Sequence, residues 1–339
     1  KERSSPITQN HGLNKRAVLF GLGNYAKVVI LPYLNKRIDI ERIHELDPTQ
    51  IGPITSNKYI YDTSDVPRNN EKYDAYFIAG YHHTHAQLAV DALTQGAYAA
   101  IEKPIATTLQ QVNAFESIVS QQTNSRFFAC FNRRYGLYNN WIDTDFDKSN
   151  SNPISMHCLV YEEPLPKKHW YLWPNSGSYI ISCACHWIDH FLFVNNYIFA
   201  YTYWVQRTRN GDINVTLELE NGAVFTMVIT ETGSTRLGVR DYVEIKQGNI
   251  VARLVNGSSY ESEDHHRILN RQSVNRLNSH IQMYRNISDR IIAGQSGDSV
   301  KSIYSSRLVI ELEKLLIEEK PFGKNRVNSA ATKASLFVI

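Results

Sequence analysis

The stretch Arg16–Ala26, which reads RAVLFGLGNYA, decides the fold. Its apolar start, residues 16–20, is typical of a buried parallel strand. Gly21, Gly23 and Ala26 follow in the pattern G-x-G-x-x-A, in which the first glycine allows a tight turn, the second lets the backbone approach a pyrophosphate and the alanine lets a helix pack closely. The stretch therefore predicts the start of a dinucleotide-binding Rossmann domain. Its predicted cofactor contacts are Gly21, Gly23, Asn24 and Tyr25.

Strand and helix patterns alternate from residue 16 to residue 131. Apolar runs that suit buried strands are separated by stretches with apolar residues at helical spacing. The alternation predicts a parallel sheet with right-handed crossovers, and hence an α/β fold with an NAD-binding Rossmann domain at residues 15–135. In the first helix we expect Val28, Val29 and Leu31 to face the core. The predicted strands are 16–20, 40–46, 73–79, 99–101 and 126–131, and the predicted helices are 25–34, 85–95 and 109–122.

A different pattern begins after residue 135. The polar stretch 143–152 predicts a connecting loop, and Asn221-Gly222 is a strong signal for a hairpin turn. Alternating runs on both sides of that turn predict a second domain at residues 136–339, an α/β domain with an open, mostly antiparallel sheet. The predicted strands are 154–162, 200–207, 213–219, 223–230, 242–246 and 250–254, and the predicted closing helices are 274–293 and 300–319.

An acidic residue stands just beyond the second predicted strand. Asp47 follows the glycine loop by about 20 residues, where the carboxylate of an NAD-binding Rossmann domain accepts hydrogen bonds from the adenosine ribose. A carboxylate there repels a 2′-phosphate, and the next residues, Pro48 and Thr49, supply no arginine to attract one. The sequence therefore predicts NAD rather than NADP as the cofactor. The alternative is that Asp47 is an ordinary turn residue and that the glycines form only a tight turn.

Composition argues against several other classes of protein. The chain has 339 residues and a net charge of +3, without a block of basic residues that would follow a nucleic-acid backbone. No apolar run approaches the roughly 20 residues that cross a bilayer, so we expect no membrane partner. The four cysteines fit neither a disulfide framework nor a zinc pattern, so we expect no metal, and a cytoplasmic protein with reduced thiols. Residues 1–14 are polar and are interpreted as a tail or a linker remnant.

Five motifs in chain order resemble the Gfo/Idh/MocA family of oxidoreductases, and the resemblance covers nearly the whole chain. Some of them are most similar to a subgroup that is fused behind a zinc alcohol dehydrogenase-like domain, and the polar residues 1–14 would suit a former fusion point. The resemblance implies a homo-oligomer formed through the exposed face of the second sheet. The motifs are the Gly21 loop, His85 at the start of a helix, Glu102-Lys103-Pro104, Asn132-Arg133-Arg134-Tyr135 and His186-Trp187-Ile188-Asp189.

The resemblance implies catalytic roles for Lys103, His186 and Asp189. Lys103 follows a predicted parallel strand, so it lies at the carboxyl edge of the sheet, where ligands bind in open α/β folds. In the family this lysine contacts substrate and the nicotinamide ribose and assists proton transfer, and a cis peptide bond often precedes the next residue, Pro104. His186 is the candidate acid/base, because an imidazole titrates near neutrality. Asp189 would orient His186 or bind a substrate hydroxyl. The alternatives are a surface lysine and a structural His–Asp pair.

Ser182 departs from the family pattern. Many members carry an aspartate four residues before the histidine, which gives a Lys-Asp-His set, and a serine hydroxyl binds substrate without holding a negative charge. Ser182 is therefore a predicted substrate contact. Either the mechanism depends on Lys103 and His186, or the chain is a non-catalytic NAD-binding regulator or partner subunit.

Further candidates complete the predicted site. Arg133 and Trp170 are predicted substrate contacts, with a surface salt bridge and core packing as the respective alternatives. His82 follows a strand and is predicted at the cofactor cleft, with a solvated loop histidine as the alternative. His85 and Glu102 are assigned to the cofactor cleft through their motifs. His280 is interpreted as a structural residue.

The sequence as a whole predicts an NAD(H)-dependent dehydrogenase or reductase that acts on CH–OH groups. The expected reaction is reversible hydride transfer between the cofactor and a secondary alcohol of a sugar, cyclitol or sugar conjugate. His186 would act as base, and Lys103 would polarise the reacting oxygen.

Overall fold

The computed structural model describes residues 15–34, 36–52, 58–68, 71–148, 152–232, 238–320 and 322–324. The predicted tail, residues 1–14, lies outside them. The chain forms two compact units. The first contains the described residues up to Leu137 together with Lys168–His186 and Leu277–Arg307, and the second contains Tyr138–Lys167, Trp187–Arg276 and the described residues from 308 onward. The units are discontinuous in sequence, unlike the two consecutive ranges 15–135 and 136–339 that we predicted.

The first unit is built on a six-stranded parallel sheet, which confirms the predicted fold class. Its strand order is β3-β2-β1-β4-β5-β6, so successive strands run outward in opposite directions from the neighbouring pair β1 and β4. In open α/β sheets such a reversal opens a crevice at the carboxyl ends of the strands. The short strand β3 was not predicted. The strands are β1 Arg16–Phe20, β2 Asp39–His44, β3 Ile60–Asp62, β4 Ala75–Ile78, β5 Tyr98–Glu102 and β6 Phe127–Cys130.

The second unit contains a nine-stranded sheet, the open and mostly antiparallel sheet that we predicted. Its order is β14-β13-β12-β11-β7-β10-β9-β8-β15, and only β7 and β10 pair in parallel. Gly222, with φ at 83°, forms the turn between β9 and β10 as predicted. The polar strands β13 and β14 were not predicted. The strands are β7 Ser155–Tyr161, β8 Ala200–Arg207, β9 Ile213–Leu219, β10 Val224–Thr230, β11 Arg240–Gln247, β12 Ile250–Val255, β13 Ser259–Glu263, β14 Ile268–Ser273 and β15 Phe322–Lys324.

Seven α-helices accompany these sheets in the described residues, together with shorter helical turns. None of the described helices is long and apolar enough to span a membrane. The helices are α1 Leu31–Leu34, α2 His85–Thr94, α3 Leu109–Ser120, α4 Tyr138–Asp145, α5 Cys185–Val194, α6 Asn278–Ile292 and α7 Tyr304–Ile317. The shorter turns are two π-helical segments, Ala26–Ile30 and Ile180–Ala184, and the 3₁₀ turns Pro48–Gln50, His82–Thr84, Asn132–Tyr135, Trp170–Leu172 and Val300–Ile303.

Two predictions about local structure were wrong. Val28 was expected to face the core but is 66% exposed, because Ala26, Val29 and Ile30, which recur at helical spacing, form the buried face and Val28 lies on the opposite side. The stretch 143–152 was expected to be a loop, yet its first residues complete helix α4. Tyr138 and Ile142, spaced four residues apart, bury one face of that helix and outweigh the polar composition around them.

Helix α6 belongs to the first unit although it comes late in the chain. Its residues Met283, Tyr284, Ile287 and Ile291 recur at helical spacing and are fully buried in the same apolar cluster as strand β1. Burying a side chain of this size contributes roughly 1.5–3 kcal/mol, so this face is sufficient to fix the helix on the sheet. The residues that begin α6 are thereby placed close to the glycine loop.

Candidate active site

A cavity of about 720 Å³ lies within the first unit, at the carboxyl ends of β1, β2, β4 and β5. Its walls come from the segments that follow strands β1 to β6, from the turn Trp170–Leu172, and from His186 and His280. The predicted site residues that line it are Gly21, Gly23, Asn24, Tyr25, Asp47, His82, His85, Glu102, Lys103, Trp170 and His186.

The two glycines of the loop have different structural roles. Gly21 has φ at +96°, and a Cβ there would lie 2.3 Å from the carbonyl oxygen of Ala79, so the fold itself requires this glycine. A Cβ on Gly23 would meet no atom within 4 Å. The space above Gly23 therefore opens into the cavity and fits the close approach of a pyrophosphate.

Two acidic residues follow β2, and their carboxylates make different contacts. Glu45 is buried and accepts hydrogen bonds from the backbone N–H of Leu22, at 2.6 Å, and of Asp47, at 2.9 Å. It therefore ties the end of β2 to the glycine loop, a role that sequence reasoning missed although its charge and position were visible. Asp47 lines the cavity and accepts hydrogen bonds from the Thr49 hydroxyl, at 2.6 Å, and the Thr49 N–H, at 3.0 Å. These bonds lower the pKa of Asp47, so the side chain that faces the cavity is a carboxylate.

His82 and His85 lie in the loop and the first turn after β4. The ring nitrogens of His85 contact the carbonyl oxygens of Pro104, at 2.7 Å, and Gly80, at 3.0 Å, so this buried side chain joins the loops that follow β4 and β5. Burial lowers its pKa. His82 is also buried, and burial together with the nearby Lys103 lowers its pKa to about 2. His82 is therefore neutral at physiological pH. The alternative of a solvated loop histidine does not apply to His82.

The two charged residues of the motif Glu102-Lys103-Pro104 contact different groups. The Glu102 carboxylate accepts a hydrogen bond from the Tyr284 hydroxyl at 2.5 Å, and burial raises its pKa. The Lys103 ammonium donates to the Ser182 carbonyl oxygen at 2.8 Å and to the Tyr171 hydroxyl at 3.4 Å. Its peptide bond to Pro104 is cis, which confirms the expectation from the resemblance.

Lys103 and His186 differ in charge. Burial alone would lower the pKa of Lys103, but the groups around it that can carry negative charge, Tyr171 first among them, outweigh burial and raise the pKa overall. These groups thereby favour the protonated form of Lys103. Burial first, and then the positive charges of Lys103 and Arg133, hold the pKa of His186 well below its ordinary value. A neutral imidazole that can accept a proton thus lies in the same cavity as an ammonium that can donate hydrogen bonds.

Three predicted site residues are not among the described residues that line this cavity. The Ser182 hydroxyl donates to the Ser178 carbonyl oxygen at 3.1 Å, and Ser182 meets Lys103 only through its own carbonyl. Asp189, three residues after His186 on helix α5, has no exposed surface. Arg133 is partly buried in the turn Asn132–Tyr135.

Besides Glu45, sequence reasoning missed His280 and Tyr171, which line the cavity near the glycine loop and Lys103. His280, at the start of α6, contacts the Tyr25 hydroxyl through Nδ1 at 2.8 Å, and it was interpreted as a structural residue only. Tyr171 lines the cavity beside Lys103. His280 lies 255 residues from Tyr25 in sequence and Tyr171 lies 68 from Lys103, so no local spacing could have indicated either pair.

Comparisons with known proteins agree with this geometry. Residues 15–128 match the sequence model of a family described as an oxidoreductase family with an NAD-binding Rossmann fold. No curated protein matches the chain.

Solved structures share the fold at low sequence identity. A Gfo/Idh/MocA family oxidoreductase from Vibrio cholerae has a TM-score of 0.70 and 14% identity, covering 90% of this chain and 99% of that one. The myo-inositol dehydrogenase from Lactobacillus casei, in complex with NAD(H) and myo-inositol, has a TM-score of 0.70 and 15% identity, covering 93% and 98%. A levoglucosan dehydrogenase in complex with NADH has a TM-score of 0.71 and 14% identity, covering 91% and 98%.

Proposed function

We propose that this chain is a member of the Gfo/Idh/MocA family of oxidoreductases and a dehydrogenase that acts on a secondary alcohol, because residues 15–128 match that family's NAD-binding Rossmann model. The observation that carries the proposal is that Lys103 and His186 line the same cavity as the glycine loop and Asp47. A cofactor and a substrate that share this cavity would therefore meet both a hydrogen-bonding cation and a neutral imidazole.

The residues of the cavity support a division of labour. Gly21, Gly23, Asn24 and Tyr25 would hold the pyrophosphate, and the Asp47 carboxylate would accept hydrogen bonds from the adenosine ribose, which favours NAD over NADP. When bound, the nicotinamide supplies the acceptor for hydride. His186 would take the hydroxyl proton of the substrate, and the Lys103 ammonium would stabilise the charge that develops on the reacting oxygen.

The proposed substrate class is a sugar, a cyclitol or a sugar conjugate. Two of the structures with this fold are a myo-inositol dehydrogenase and a levoglucosan dehydrogenase. The indole of Trp170 also lines the cavity, where it would offer an apolar surface to the C–H face of a ring.

The rival proposal is an NAD-binding regulator or partner subunit without activity. Ser182 favours it, because the aspartate of the family's Lys-Asp-His set is missing and the serine hydroxyl is directed at the backbone. Lys103 and His186 favour the enzyme.

We also propose a cytoplasmic homo-oligomer that associates through the open face of the second sheet. The exposed side chains of Leu159, Val228 and Tyr242 on neighbouring strands of that sheet support it, since exposed apolar patches commonly mark interfaces. The four cysteines are buried, and their spacing in sequence fits no disulfide framework, which favours a reducing compartment. Sedimentation of a single monomeric species at working concentration would contradict the oligomer.

The experiment that separates enzyme from regulator measures NADH formation over a panel of polyols, sugars, amino sugars and nucleotide sugars. We expect one class to be turned over, and Lys103→Ala to lower kcat/KM by about 10²-fold or more, since the variant loses a donor to the reacting oxygen. Lys301→Ala, which alters an exposed lysine away from the cavity, is the matched control. Silence across the panel together with measurable NADH binding would favour the regulator.

A further inference from the structure

The starting point is the environment of the Lys103 ammonium, which lacks the carboxylate that the family pattern would supply at position 182. In the part of the chain that the structure describes, no carboxylate forms an ion pair with Lys103. The ammonium instead donates to a backbone carbonyl and to the phenol oxygen of Tyr171, and it lies 5.4 Å from the centre of the Tyr171 ring. Tyr171 is thus the one side chain among the described residues that hydrogen-bonds to Lys103.

The ring of Tyr171 is held in place. Tyr171 lies in the 3₁₀ turn Trp170–Leu172. Its backbone N–H donates a hydrogen bond to the His169 ring at 3.2 Å, and this bond caps the start of the turn. The ring packs against His82, with centroids 4.7 Å apart, and against Trp170, at 4.4 Å. A side chain fixed in this way would bind a ligand without a large loss of rotamer freedom.

The Tyr171 hydroxyl has a hydrogen that can still be donated. A tyrosine hydroxyl has one hydrogen and an oxygen that accepts. The oxygen of Tyr171 accepts from Lys103, while the hydrogen finds no acceptor among the described residues. Because Tyr171 lines the cavity, that hydrogen is available to a ligand there.

We propose that Tyr171 is a further catalytic residue, whose hydroxyl donates a hydrogen bond to the reacting oxygen of the substrate beside Lys103. This inference rests on the proposed dehydrogenase function. In oxidation the hydroxyl proton passes to the His186 imidazole, and the hydrogen and two electrons of the C–H bond leave to the cofactor. Tyr171 keeps its own proton and stabilises the oxygen as it becomes a carbonyl. Reduction follows the same path in reverse.

The ionisation of Tyr171 agrees with this role. Lys103 lowers the pKa of the phenol, but burial and neighbouring groups that can carry negative charge outweigh that effect and raise it overall. The phenol is therefore protonated at neutral pH and acts as a donor.

The test compares Tyr171→Phe with Tyr33→Phe, measuring kcat/KM on the active substrate class and the Kd for NADH. Tyr33 is a partly buried tyrosine of helix α1 that does not line the cavity, so its variant controls for the loss of a phenol in general. We expect Tyr171→Phe to lower kcat/KM by about 10²-fold, the usual effect of removing one donor to a developing oxyanion, with NADH binding unchanged. Equal kcat/KM in the two variants would overturn the proposal while leaving the dehydrogenase function intact. A wild-type protein that is silent over the whole panel would overturn the dehydrogenase function and the role of Tyr171 with it.

A second variant separates hydrogen bonding from packing. A fluorinated tyrosine at position 171 retains the ring and the hydroxyl but ionises at lower pH. We expect it to retain most of kcat/KM at neutral pH and to move the alkaline fall of the pH profile to lower pH, because the donor is lost when the phenol ionises. A residue that only packs would lower kcat/KM in Tyr171→Phe without moving the pH profile of the fluorinated protein, and that outcome would refute the catalytic role.

Discussion

Replacing each glycine of the phosphate loop with alanine should separate folding from cofactor binding. Gly21 and Gly23 lie two residues apart and receive the same methyl group, yet the structure predicts opposite consequences. Gly21 has φ at +96°, and its new Cβ would come within 2.3 Å of a backbone oxygen. Gly23 has room for a Cβ, because nothing lies within 4 Å.

The magnitudes follow from these two environments. An alanine held at the φ of Gly21 costs about 1–3 kcal/mol in backbone strain, and the contact with Ala79 adds to it because neither backbone segment can yield cheaply. An alanine at Gly23 adopts an ordinary φ and should stabilise the protein by about 0.4–1 kcal/mol, since the unfolded chain loses freedom. If the methyl displaces the pyrophosphate from one charge-assisted hydrogen bond, about 1.5–3 kcal/mol of binding is lost, or roughly 10- to 150-fold in Kd.

The assay pairs thermal unfolding without ligand with NADH titration by fluorescence. We expect Gly21→Ala to lower the Tm, and Gly23→Ala to keep or raise it while weakening NADH binding. Gly23→Ala with the NADH affinity of the wild-type protein would refute the assignment of this loop to the pyrophosphate. A loss of Tm in Gly23→Ala would show that the space above the loop is not open.

Two further predictions concern single side chains. Asp47→Ser keeps an oxygen that can cap the turn at Pro48–Gln50 but removes the negative charge. The ratio of the Kd for NADPH to the Kd for NADH should therefore fall by about tenfold or more. An unchanged ratio, measured by titration with both cofactors, would show that another group selects the cofactor. His82 has a pKa of about 2 in the folded protein and about 6.5 in the unfolded chain, so the unfolded chain binds one more proton between these pH values. The contribution of His82 to the free energy of unfolding is therefore present above pH 6.5, and about 1.4 kcal/mol of it is lost per pH unit as the pH falls below that value. Urea unfolding from pH 7 to pH 5 should therefore depend less on pH in His82→Gln, and an identical dependence would contradict the burial of a neutral imidazole.

Sequence patterns predicted the strands and helices whose side chains contact residues that are close in sequence or on the same strand. One strand–turn–helix–strand unit contains the run 16–20, the glycine turn and the carboxylate beyond β2. Their spacing in sequence therefore determines how they are arranged in space. The wrong direction assigned to Val28 shows where that logic fails. Apolar residues occur on more than one side of this short segment, so the pattern alone did not show that Ala26 and Ile30, rather than Val28, belong to the buried face.

The parts of the site that were missed depend on contacts between distant segments. Tyr25 meets His280 only because the apolar face of α6 packs on the parallel sheet, and Lys103 meets Tyr171 only because the segment Lys168–His186 joins the first unit. Ser182 was expected to offer its hydroxyl to a substrate. Its carbonyl is what contacts Lys103, and a backbone carbonyl is present whatever the side chain is. Residue identity alone could not show this.

The low pKa of His186 defines what the remaining cavity residues must do if the protein is a dehydrogenase. An imidazole whose pKa lies well below its ordinary value is a weak base, so it removes a proton from an alcohol only when the site also makes that alcohol more acidic. Donors to the hydroxyl oxygen have that effect, because they stabilise the alkoxide and do so more strongly in a cavity than in water. The raised pKa of Lys103 favours its ammonium form, and Tyr171 has a hydroxyl hydrogen that no described residue accepts. Serine at position 182 is therefore compatible with catalysis, because Lys103, which adds to the effect of burial in weakening His186 as a base, also acidifies the substrate.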